Sequence, residues 1–122
     1  MRYWTVDEAN AALPRVGEVV RRIRDAAAEA QQRAELVAKR APANGHVPPD
    51  ESAQSLHAAV RELSAEGIVV RDPQAGLIDF PAKSPSGRPY WLCWVLGEPA
   101  VAFWHWPEEG FAGRTPLADP PV

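Results

Sequence analysis

The chain has 122 residues, 46% hydrophobic and 24% charged, with a formal net charge of −3 and one cysteine. That length suits one domain with a core large enough to need no staples, and a single cysteine excludes an internal disulfide framework or a four-cysteine zinc site. There is no apolar run of the ~18 residues a membrane helix needs, and Met1-Arg2-Tyr3-Trp4-Thr5 lacks a signal-peptide stretch, so the cytoplasm is the expected compartment.

Residues 6 to about 41 read as a helix. Apolar or small residues at Ala9, Leu13, Val16, Val20, Ile23, Ala27, Ala30, Ala34, Val37 and Ala41 alternate four and three apart, the seam of a helix packed on another. Glu18–Arg22, Glu29–Arg33 and Glu35–Lys39 place an acid four residues ahead of a base on the outer face. Thr5-Val6-Asp7-Glu8 fits a capping box. Pro14 removes one amide donor, predicting a kink between Asn10 and Pro14 or a fresh helix start at Pro14.

Residues 41–50 read as a loop from their Pro and Gly content. A second helix is expected from about Asp50 or Glu51 to Glu66, with Ala53, Leu56, Val60 and Leu63 as its seam and Gly67 as its stop. The two make an antiparallel hairpin over 6–66. The first helix is much the longer, so its tip overhangs or finds another partner.

After Gly67 the hydrophobic period changes to two. Ile68–Arg71, Leu77–Phe80, Tyr90–Leu96 and Ala100–Trp106 read as four short strands, separated by turns at Asp72–Gly76, Ser84–Pro89 and Gly97–Pro99. Residues 107–122, with four prolines and two glycines, read as an irregular tail. The expected fold is α+β: a long N-terminal helical hairpin packed on a C-terminal four-stranded antiparallel meander over 68–106.

Charge excludes one class of partner. Residues 1–41 hold eight bases and six acids, and from Gly97 onward there are four acids and one base. No basic stripe of the kind that binds nucleic acid is present. Eleven of thirteen bases are arginine, which suggests a GC-rich bacterial genome.

Several residues could carry chemistry. His105, between Trp104 and Trp106, faces opposite to both. If Gly97-Glu98 is a two-residue turn, Tyr90 stands across from His105 and Leu92 across from Phe103. Asp79 interrupts an apolar strand and must face water or find a partner, such as Arg71 across the hairpin. Glu98 is an unusual turn residue. Glu8 and Asn10 could line a site where the first helix meets the sheet, although the capping box already employs Glu8. Glu108 stands three residues after His105. Trp91, Trp104 and Trp106 are expected on one face. Cys93 reads as a small buried hydrophobe, and His46 and His57 have no evident partner.

Thr5-Val-Asp-Glu-Ala-Asn10 with Leu13-Pro14, Gly67-Ile-Val-Val-Arg-Asp72, Gly76-Leu-Ile-Asp-Phe-Pro81, Leu92-Cys-Trp-Val-Leu-Gly-Glu98 and Trp104-His105 with Gly110-Phe-Ala-Gly-Arg114 occur in this order. Together they resemble the bacterial domain of unknown function 2203, across nearly the whole chain. The resemblance implies no activity. Its pattern includes Glu8, Asn10, Asp79, Glu98, His105 and Arg114.

Two functions stay open, and enzyme status with them. One is a self-associating or protein-binding module, homo-oligomeric through the Ala-rich seam. The other is a divalent-metal or small-ligand site built from Asp79, Glu98 and His105, with Glu8 or Glu108 assisting. A carboxylate–imidazole set suits Zn, Mn or Fe(II).

Overall fold

The computed structural model describes residues 2–39 and 51–122. The loop expected at 41–50, and Ala41 of the helical seam, lie outside them. Among the described residues no helix is long and apolar enough to cross a membrane.

Helix α1 runs Val6–Lys39 and α2 runs Glu51–Ser64. The capping box forms as read: the Thr5 amide donates to Glu8 Oε1 (2.9 Å) and the Glu8 amide to Thr5 Oγ1 (3.1 Å). Pro14 does not break α1, which is one helix through that position. The buried positions Ala9, Val16, Val20, Ile23 and Ala27 follow the expected seam, and Val19 and Ala26 widen it. Past Ala27 no described residue of α1 is buried. At the far end of α2, Gly67 takes φ 80°, the left-handed stop that glycine allows at no steric cost. Arg15 clamps the Glu66 carboxylate at 2.7 and 2.8 Å, tying the hairpin together there.

The sheet has five antiparallel strands in sequence order: β1 Val69–Asp72, β2 Leu77–Lys83, β3 Pro89–Val95, β4 Phe103–His105 and β5 Thr115–Pro116. The meander is thus one strand longer than expected. Part of the tail folds back, through a 3-10 turn at Phe111–Gly113, to pair with β4.

Register differs from the expectation by one residue. Trp91 stands opposite His105 and Cys93 opposite Phe103, not Tyr90 and Leu92. The connection from β3 to β4 is not a two-residue turn; it runs from Leu96 to Ala102. Glu98 closes its first part by accepting the Val95 amide (2.8 Å), and Asn10 of α1 holds its far end by accepting the Val101 amide (2.8 Å). A one-residue slip changes which face every side chain of a strand shares with its neighbour.

Ile78, Phe80, Ala82, Tyr90, Leu92, Trp94 and Trp104 make the face that meets the helices, and pack with Val16, Val19, Val20 and Ile23 of α1 and Leu63 of α2. Trp4 adds an edge-on contact to Phe80 at 5.2 Å. Trp91 lies on the other face, so the expected grouping of Trp91 with Trp104 does not occur. The β1–β2 turn is pressed against α1. A Cβ on Gly76 (φ 73°) would stand 2.7 Å from Leu96 Cβ and 3.1 Å from Val20 Cγ1, so only glycine fits.

Candidate functional site

The site lies on the sheet face turned away from the helices. Asp79 on β2 is directly opposite Cys93 on β3, and His105 on β4 is diagonal to Cys93. One potential ligand atom from each lies within 4.8 Å of the others. All three are buried: Asp79 1%, Cys93 1% and His105 2% exposed. Groups this dry need partners.

A bulge in β1 supplies one. Val70 pairs with Ile78 and Asp72 with Leu77, which leaves Arg71 without a partner across the ladder. Bulges of this kind re-aim a side chain. Arg71 turns onto the site face, donates from Nε to Asp79 Oδ2 (2.8 Å) and lies over the Trp91 ring at 4.9 Å.

His105 Nε2 faces the same Oδ2 at 2.9 Å, and its Nδ1 faces the Trp106 carbonyl at 2.8 Å. A carbonyl only accepts, so Nδ1 carries a hydrogen. Oδ2 also accepts from Arg71, so the guanidinium and the imidazole converge on one carboxylate oxygen. Both ring nitrogens are thus engaged by Trp106 and Asp79 rather than by Cys93.

Asp79 Oδ1 has no hydrogen-bond partner among the described residues, although it is buried. Burial, reinforced by the neighbouring Asp79 carboxylate, pushes the Cys93 thiol up to about 12 from an ordinary value near 9. It is a protonated thiol at neutral pH.

A cleft of about 310 Å³ opens over this cluster, walled by Arg71, Leu77, Pro107, Gly110 and Phe111. The segment bearing Phe111 is pinned by Arg114. Arg114 Nη2 donates to both Glu98 oxygens (2.7 and 2.8 Å), and its guanidinium lies over Phe103 (4.1 Å) and Phe111 (4.9 Å).

The structure therefore brings Asp79 and His105 together and puts Cys93 beside them. Glu98 is occupied by Arg114 and the Val95 amide. Glu8 is the helix cap, its carboxyl held below the usual range first by the Thr5 amide and then by the Thr5 hydroxyl. Glu108 pairs with Arg88 at the surface. Asn10 bonds the backbone of Val6 and Val101. Sequence reasoning misses Cys93 as a site residue because, mid-strand among apolar neighbours, it reads as a small buried hydrophobe; a tight turn after β3 would also have put it on the face opposite His105. A signal was present: Asp79 and Cys93 both interrupt runs of larger apolar residues on adjacent strands.

A family model described as "Uncharacterized conserved protein (DUF2203)" matches residues 2–117. No curated protein and no solved structure matches the chain.

Proposed function

Since the chain belongs to the DUF2203 family of uncharacterized conserved proteins, its function has to be argued from the site, and we propose that it binds a divalent transition-metal ion between Asp79, Cys93 and His105. The observation that carries this is the convergence of one oxygen, one sulfur and one nitrogen donor within 4.8 Å, in a buried spot where Asp79 Oδ1 lacks a partner.

The donor chemistry narrows the ion. A thiolate is soft, so Zn(II) or Fe(II) is favoured over Mn(II). Ligands on a tetrahedral zinc lie roughly 3.3–3.8 Å apart, given bonds of ~2.0–2.3 Å. The donor atoms of the cluster lie within 4.8 Å of one another. Three protein ligands leave a fourth position, and the cleft gives it access to solvent or a small molecule. Loading must expel the Cys93 thiol proton, so affinity climbs with pH.

The test is metal content of untagged protein purified without chelator, followed by cobalt substitution. One ion per chain, with a thiolate-to-cobalt absorption band lost in Cys93→Ser and His105→Ala, is the expected result. Substoichiometric metal, together with melting that chelator leaves unchanged, would remove the reading.

A second reading, self-association through the helical tip, is supported by a different observation. At ~1.5 Å per residue α1 is more than twice as long as α2. Leu36 is 53% exposed, beside a cavity of about 700 Å³ between α1 and the start of α2. Light scattering at high concentration tests it: Leu36→Glu should dissociate an oligomer, and a strictly monomeric wild type would count against it.

A further inference from the structure

We infer that the cleft over Asp79, Cys93 and His105 takes a small monocarboxylate, held by the free edge of the Arg71 guanidinium. This rests on the reading of that cleft as a binding site, and concerns what enters it beside the ion.

Arg71 is built as an anchor. Its Nε is fixed by Asp79 Oδ2 at 2.8 Å and its plane lies over Trp91 at 4.9 Å. Only Nε is used: neither Nη makes a hydrogen bond among the described residues, and the side chain is 42% exposed where it lines the cleft. A guanidinium held from behind presents two parallel N–H donors forward, the geometry that grips a carboxylate in bidentate fashion. Because the carboxylate partner and the ring already restrain the side chain, little rotamer entropy remains to be lost on binding.

Charge and size narrow the ligand. Arg71 is the one arginine or lysine among the residues lining the cleft. A monoanion matches that single guanidinium, whereas a dianion such as phosphate would lack a second. The remaining walls include the apolar Leu77, Pro107 and Phe111, and the cleft measures about 310 Å³. That is the low end for a small-molecule site, where ligand pockets run ~300–1,000 Å³. The fit is a short-chain acid with its carboxylate on Arg71 and its hydrocarbon against Phe111.

Propionate is the probe, titrated into the full chain with and without one equivalent of zinc and followed by NMR, with inorganic phosphate as the control. Saturable shifts centred on the Arg71 side chain and Phe111 are expected. Losing a charge-assisted bidentate pair should make Arg71→Gln bind propionate about tenfold more weakly or worse. Arg71→Lys should be weakened too, since it keeps the charge and loses the fork.

Absence of saturable shifts in the wild type overturns the inference, as does tighter binding of phosphate than propionate, or equal propionate affinity in folded Arg71→Gln. Should that variant fail to fold, Phe111→Ala replaces it: Phe111 is half exposed, and its loss should weaken propionate more than acetate. Zinc binding without propionate binding sinks this inference and spares the metal reading. Arg71-dependent propionate binding without zinc binding does the reverse.

Discussion

The two faces of the sheet are built to different rules. The face toward the helices carries Ile78, Phe80, Leu92, Trp94 and Trp104, apolar residues buried among apolar residues. The face away from them carries Asp79, Cys93 and His105 at equal dryness, under a cleft walled by Arg71, Leu77, Pro107, Gly110 and Phe111. Burial on the first face is the driving force of the fold. Burial on the second costs desolvation that its ion pair and hydrogen bonds must offset, and for one carboxylate oxygen they do not. Stability explains the first face completely and leaves the second without a motive.

Mutagenesis can separate the faces. Phe80→Ala should cost about 3–5 kcal/mol in denaturant unfolding and leave zinc affinity unchanged in whatever fraction stays folded. Asp79→Ala should cost about as much, ~3–5 kcal/mol, by stranding the Arg71 guanidinium and the His105 imidazole. The sharper experiment removes both partners. Asp79→Leu combined with His105→Phe should lie within about 1 kcal/mol of the wild type or above it, with metal binding abolished. A loss as large as that of Asp79→Ala alone would show that the polar face serves stability after all.

Gly76→Ala should cost about 2–4 kcal/mol, from the left-handed backbone and the clash with Leu96 and Val20, again without reaching the metal site. The pH dependence comes next. The Cys93 value is higher folded than unfolded, so its contribution is complete below pH 9 and disappears as pH rises from 9 to about 12. Cys93→Ala should flatten that alkaline decline. At the acid end, Arg15 holds Glu66 below its ordinary value. That contribution is present above the ordinary carboxylate range and is lost as pH falls through the folded value. Arg15→Gln should reduce the acid slope slightly. Smallest of all, Thr5→Ala removes one cap and should cost about 1 kcal/mol.

Much of the fold is legible in the order of residues. The capping box at Thr5–Glu8, the seam through Ala27 and the stop at Gly67 are local patterns with local causes. The candidate site was legible only in part. Asp79 and His105 declared themselves by polarity inside apolar strands. Their relation to Cys93 depended on strand register, and register depended on Asn10 and Glu98 each holding one end of the connection from Leu96 to Ala102. Neither contact leaves a periodic trace. The fifth strand was hidden for a similar reason: Thr115–Pro116 is two residues long and becomes a strand only because β4 offers an edge.

By itself, the order of residues determined where helix ends and strand begins, because that choice follows hydrophobic period and end signals within a few residues of each boundary. Tertiary structure alone decided which side chains share the face that carries Asp79. Pleated strands alternate sides at every step, so a connection longer by a few residues moves a cysteine from one side of the molecule to the other.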